Sequence, residues 1–207
     1  MHLPNPMPAF ARNAMATRFE IVLPGADAAR LRAAAEEAFD EIERLEAQLS
    51  LFRPTSEIAN VNARAAHEPV RVSPETFHLL QHAARLSAET GGAFDITIAP
   101  LMLAWGFVGG TGHLPDPAEL ALARACVGMN LVELNSANYT VRFARPGVSL
   151  DLGAIGKGYA VGRAADSESI SSICWTKSPG RFPGRTRAAT ASSGKIPCTT
   201  RTPIWWT

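Results

Sequence analysis

From Leu31 to Leu49 apolar residues recur at steps of three and four: Leu31, Ala35, Ala38, Ile42, Leu45 and Leu49. That spacing follows the helical turn, so Asp27 to Leu49 predicts one long helix with an apolar stripe, and Glu36, Glu37, Asp40, Glu43 and Arg44 fall mostly off it. Such a stripe has to be buried against other elements. Packing into a core is the favoured use, and pairing as a coiled coil is the other.

The segments around this helix give the fold class. "MATRFEIVLP", Met15 to Pro24, reads as a first strand closed by Pro24-Gly25. Pro54 breaks the chain after the helix, and Thr55 or Ser56 can cap a short helix behind it. Ser73-Pro74-Glu75 starts another helix that Gly91-Gly92 stops near Thr90. A further helix is expected over Pro117 to Val127. "MNLVELN" and "YTVRFA" read as strands joined at Ser136-Ala137-Asn138, and "GVSLDL" as a third. Helices first and strands later predict an α+β domain, with helices packed on an antiparallel or mixed sheet.

Composition changes at a seam near residue 165. The chain of 207 residues has a net charge of +1, made of −3 before the seam and +4 after it. Residues 166–207 carry 14 Ser/Thr, three of the four Trp and no apolar period. They are expected to be poorly ordered, and the shift is what an out-of-frame reading of a GC-rich gene would produce. The domain reading is therefore an N-terminal extension over 1–14, a folded part over 15–165, and a low-order tail over 166–207. Near-neutral charge offers no general attraction for nucleic acid. Cys126, Cys174 and Cys198 form no C-x-x-C pair, which argues against a disulfide framework and a thiolate zinc site. No signal peptide, lipidation cysteine or membrane anchor is visible in "MHLPNPMPAFARNAM", so the expected location is the cytoplasm.

"SLDLGAIGKGYAVGRAAD", Ser149 to Asp166, carries an aspartate at the end of an apolar run and then a glycine-punctuated turn that leads a lysine into a helix. It is neither a P-loop nor a dinucleotide fingerprint, because Gly153, Gly156 and Gly158 run G-x-x-G-x-G. What the glycines permit is close backbone approach to an anionic ligand at a helix start, and a tight turn without a ligand is the alternative. Asp95 interrupts the apolar stretch "GGAFDITIAPLMLAWGF" and would need donors if buried. His78 and His82 stand four apart on one helix without the glutamate of H-E-x-x-H, so an ordinary helix face is preferred to a metal pair. His2, His67 and His113 have no partner pattern.

Taken in order, "MATRFEI", "LSLFRPTSEIANVN", "TGGAFDITIAPLMLAWGF" and "SLDLGAIGKGYAVGRA" resemble the motifs of the FAD:protein FMN transferases, the ApbE-type flavin transferases once described as thiamine-biosynthesis lipoproteins. The resemblance covers Met15 to about Ala165 and implies an ApbE-like fold that is incomplete at the C-terminus. It places Met15 on the flavin and Phe52 against the FAD, where tyrosine is commoner. It lines the same site with Ala93, Phe94 and Asp95. Asp151 matches the family's aspartate, Ala154 would give a backbone oxygen to Mg²⁺, and Lys157 would touch FAD. Ala16 stands where glycine is usual, and Gly162 where aspartate is common.

The activity implied is Mg²⁺-dependent transfer of the FMN half of FAD to a threonine or serine of an acceptor flavoprotein, such as a subunit of a redox complex, with release of AMP. The resemblance identifies no catalytic side chain here. The late D-x-x-[ST]-type motif that completes the family's Mg²⁺ shell is not recognisable after Ala165, so the activity of this chain is expected to be impaired. A flavin-binding or flavin-trafficking module without transfer, or a folded fragment with no ligand site, are the alternatives.

Overall fold

A computed structural model describes residues 7–110, 112–167 and 169–170. It contains β1 (Ala9–Ala14), β2 (Thr17–Val22), α1 (Ala28–Leu49), α2 (Glu57–Arg64), β3 (Val70–Arg71), α3 (Pro74–Glu89), α4 (Ala99–Ala104), α5 (Pro117–Arg124), β4 (Val132–Asn135), β5 (Thr140–Phe143) and α6 (Gly156–Ala165). β1 and β2 form an antiparallel hairpin, and β3, β5 and β4 form a second antiparallel sheet in that order. The α+β class holds, with both small sheets antiparallel.

The long helix is where its stripe requires it. Asp27 caps α1 by accepting from the Ala29 and Arg30 amides at 3.1 Å. Leu31, Ala35, Ala38, Ile42, Leu45 and Leu49 are buried, joined by Ala34 and Phe39, so the stripe builds a core and needs no coiled-coil partner. α6 packs along it. Ser56 caps α2 and Ser73 caps α3, each through its hydroxyl, with Pro74 in the first turn of α3.

Three expectations changed. Residues Ala9–Ala14, placed in the extension, pair with β2 from Ala9↔Val22 to Ala14↔Thr17, so the first strand of the sequence reading is half of a hairpin. Arg12 ties β1 to α1 through Glu36, Asp40 and Glu43, with its guanidinium over the Phe39 ring. "GVSLDL" forms no strand among the described residues. Its backbone is paired by a side chain instead: Asn62 accepts from the Leu150 amide at 2.7 Å and donates to the Leu150 carbonyl at 3.0 Å, and the Asp151 amide donates to the Ile96 carbonyl at 2.7 Å. Met129–Leu131 is a 3₁₀ turn leading into β4.

Past the seam, Ile170 is buried in the core, and Ser167 accepts from its amide. The remainder of the predicted low-order tail, with Cys174 and Cys198, lies outside the described residues, as does His2. No helix among the described residues is long and apolar enough to cross a membrane.

The β1–β2 turn holds two consecutive non-glycine residues at positive φ, Met15 at 49° and Ala16 at 55°. A two-residue hairpin loop of this hand suits the strand twist but favours Asn-Gly, since a Cβ in the left-handed region costs about 1 kcal/mol. Ala16→Gly is therefore expected to stabilise the fold by roughly 0.5 kcal/mol after the greater freedom of the unfolded glycine is allowed for. Thermal denaturation checks this, and a lower melting temperature for the variant would show that the turn carries no such strain.

Candidate functional site

The end of α1, the hairpin turn and the start of α6 converge on one cleft. Met15 and Ala16 come from the turn; Glu46, Leu49, Ser50, Leu51 and Phe52 come from the end of α1 and the loop after it; Asp151, Leu152, Gly153, Gly156 and Lys157 come from the segment entering α6. They enclose about 260 Å³. Three of the four sequence motifs, up to 142 positions apart in the chain (Met15 to Lys157), thus supply its walls.

Each wall is set by local chemistry. The Ser50 hydroxyl accepts from the Phe52 amide at 3.1 Å, and the Ser56 hydroxyl donates to the Ser50 carbonyl at 2.6 Å while accepting from the Ala59 amide. The loop is thereby fixed by the cap of α2, and Phe52 is left 71% exposed on it. An aromatic ring held in water beside an apolar-lined cleft is costly unless a ligand covers it.

On the facing wall Asp151 Oδ1 accepts from the Gly153 amide at 2.7 Å, closing a tight turn. A Cβ at Gly153 would stand 3.0 Å from that oxygen, so a larger residue there would require the Asp151 side chain to give by a few tenths of an ångström. Ile155 and Gly156 then begin α6 without a side-chain cap; their own amides donate to the Leu152 carbonyl at 3.0 Å and 2.7 Å, so the amides that a helix start leaves for a ligand are those that follow Gly156. Lys157, exposed, donates from Nζ to the Gly153 carbonyl at 3.3 Å. A cation and an uncapped helix start on one edge suit an anionic group. Glu46 on the opposite edge has its carboxylate 3.6 Å from Arg53.

Of the residues singled out in the sequence, Met15, Phe52, Asp151 and Lys157 share this cleft. Ala93, Phe94 and Asp95 do not line it. Ala93 is exposed and Phe94 rests on the core. Asp95 is half-buried, and its Oδ1 accepts from the Thr97 amide at 2.7 Å and the Thr97 hydroxyl at 2.6 Å. Buried Thr97 in turn accepts from the Gly128 amide at 2.7 Å. Among the described residues, the hydrogen bond from the Asp151 amide to the Ile96 carbonyl ties this loop to the cleft. Ala154 is exposed within the turn between Gly153 and Gly156.

His78 faces the Tyr139 ring edge-on, and His82 lies 2.8 Å from Arg85. Burial, with the Arg85 charge adding to it, holds the His82 imidazole below its ordinary value. No group of three or more His, Cys, Asp or Glu among the described residues could hold a metal ion.

Asn62 is the residue that sequence reasoning passed over. It stands four positions after buried Ile58 on α2, and a polar side chain on an otherwise apolar helix face was the available signal.

Known proteins are similar to this chain in sequence and in fold. A sequence profile of the ApbE family matches residues 15–172. An FAD:protein FMN transferase of Klebsiella pneumoniae is 36% identical over 135 residues, covering 65% of this chain and 42% of the relative. The crystal structure of the ApbE protein from Thermotoga maritima superposes with a TM-score of 0.73 at 29% identity, over 81% of this chain and 53% of that one. A flavin transferase ApbE from Vibrio cholerae, in a mutant form, superposes at 0.72 with 28% identity, over 81% and 57%. The chain spans about half the length of the relatives it matches. Since the profile covers well over half of its residues, the chain belongs to the ApbE family.

Proposed function

We propose that the cleft binds FAD and that the chain is of the FAD:protein FMN transferase class. The observation that carries this reading is the convergence of Met15, Phe52, Asp151 and Lys157 on one cleft, because an apolar residue, an exposed ring and a cation at a helix start are what a molecule with planar rings and a pyrophosphate needs. Phe52 stacks on a ring of the ligand, Met15 covers its apolar surface, and Lys157 holds a phosphate oxygen.

In the reaction an acceptor Thr or Ser hydroxyl oxygen bonds to the FMN phosphorus, the pyrophosphate P–O bond breaks, and AMP leaves with the bridging oxygen. The hydroxyl proton passes to solvent or a base. Lys157 stabilises charge on the phosphates as that bond opens. The acceptor proposed is a flavoprotein subunit of a redox complex.

Mg²⁺ would find few protein oxygens among the described residues. It favours six oxygens in octahedral array, usually one or two carboxylates beside phosphates and waters. Asp151, whose Oδ1 accepts from Gly153, has Oδ2 left to offer, and the Ala154 carbonyl is the other protein oxygen that the resemblance assigns to the ion, so phosphate and water would have to supply the remaining positions. Transfer is therefore proposed to be impaired in this chain, and the same observation favours a second reading, a flavin-binding or flavin-trafficking module without transfer. Flavin fluorescence titration tests binding, and AMP release in the presence of FAD, Mg²⁺ and a threonine-bearing acceptor tests transfer. Binding with AMP release supports the transferase, binding alone supports the module, and absence of binding removes both.

Asp95 provides a narrower test. Asp95 stands outside the cleft on a neighbouring loop, and Asn at this position keeps the Oδ1 acceptor that serves Thr97 while exchanging Oδ2 for a donor, so Asp95→Asn is expected to fold while weakening FAD binding about tenfold through the lost acceptor, where the ligand extends past the cleft to this loop. Unchanged affinity would leave Asp95 as an organiser of its loop.

A further inference from the structure

Outside the cleft, the first turn of α3 holds Glu75, a carboxylate that receives hydrogen bonds from two other helices. Arg44 of α1 donates to it at 2.9 Å and 3.1 Å. From α6 the Tyr159 hydroxyl donates to Oε1 at 3.1 Å, and Arg163 Nε lies 3.1 Å from the same oxygen. Glu41 joins the group through Arg44, at 2.7 Å and 2.8 Å, and through Arg163 at 3.7 Å. Two carboxylates, two guanidiniums and a phenol thus link α1, α3 and α6.

Two of these helices, α1 and α6, carry walls of the cleft. Glu46 to Phe52 lie two to eight residues beyond Arg44, and Lys157 lies two residues before Tyr159. We propose that Glu75 is a positioning residue that sets the separation of the two walls, and with it the placement of Lys157, by receiving hydrogen bonds from both wall helices at once. This rests on the reading of the cleft as the FAD site.

Three features make this more than one more surface ion pair. Glu75 is 26% exposed and serves three donors, so ordering it is shared among several bonds instead of one. Gln48, one turn along α1 from Arg44, donates to Ser73 at 2.8 Å and Thr76 at 2.9 Å, which fixes the start of α3 and hence the Glu75 backbone. Burial together with the Glu75 charge pushes the Tyr159 hydroxyl up to about 12, so it remains a donor through neutral pH.

The test compares Glu75→Gln and Tyr159→Phe with Glu68→Gln, which removes an exposed pair to Arg64 remote from the cleft. Amide hydrogen exchange of the full chain without flavin is the arm independent of FAD. Faster exchange across 153–159 in Glu75→Gln and Tyr159→Phe, but not in Glu68→Gln, supports the proposal, and unchanged exchange overturns it.

With FAD as probe, Glu75→Gln is expected to weaken binding about tenfold. Combined with Lys157→Ala it should add little further loss of affinity, while the losses in melting temperature add, because the two residues share one effect on the ligand and separate effects on the fold. A merely structural Glu75 would give additive losses in both, and that result also overturns the proposal. Failure of the wild-type chain to bind FAD would remove the ligand reading and leave the exchange result to decide the clamp.

Discussion

Asn62→Ala is expected to destabilise the protein by about 2–4 kcal/mol, because it strips both hydrogen bonds from the buried backbone of Leu150. An unpaired buried amide and an unpaired buried carbonyl each carry a desolvation penalty of about 1–3 kcal/mol, and no neighbouring strand among the described residues is in place to replace the lost partner. The effect should reach the cleft. Leu150 precedes Asp151, whose amide is held by Ile96 and whose side chain closes the turn onto Gly153. FAD affinity should therefore fall together with stability. Urea denaturation and flavin titration on the same variant check both, and a loss below about 1 kcal/mol would show that water or a backbone shift repairs the site.

Lys157→Ala is expected to separate binding from folding. Its ammonium makes one exposed bond, to the Gly153 carbonyl, so its removal should change stability by no more than about 0.5 kcal/mol. A hydrogen bond to a charged phosphate contributes about 1.5–3 kcal/mol, which corresponds to roughly 10- to 150-fold in the FAD dissociation constant. Isothermal calorimetry against FAD measures it. Affinity equal to that of the wild type would place the pyrophosphate elsewhere, and with it the role given to the start of α6.

The pairing of these two variants also distinguishes support from contact. Asn62 touches no residue assigned to the ligand and acts by holding a strand-like segment that has no strand beside it, whereas Lys157 acts by direct charge. A large stability loss in the first and none in the second is the pattern the structure requires.

Much of the architecture was legible in the sequence because it rests on local rules. Period and capping located α1 and α3 to within a residue and the start of α2: Asp27 and Ser73 cap the first two, Ser56, one of the two residues offered, caps α2, and the stripe from Leu31 to Leu49 is the buried face. The glycine-punctuated turn before α6 could be read as a helix start, since glycine spacing and the alanine-rich segment are themselves local signals. Motif order also pointed to Met15, Phe52, Asp151 and Lys157, which meet in one cleft.

Tertiary structure decided what depends on partners distant in sequence. Whether Ala9–Ala14 is an extension or a strand turned on its ladder with β2 and on Arg12 reaching α1. "GVSLDL" has the pattern of a strand, yet a ladder needs a neighbouring strand, and an asparagine 88 positions earlier takes that place. Glu75 is an ordinary first-turn glutamate by sequence, and only the packing of α1, α3 and α6 brings two arginines and a tyrosine onto its carboxylate. Helix caps and apolar stripes act within a few residues and are written in the local sequence, whereas hydrogen bonds between separate elements exist only after the core has set those elements side by side.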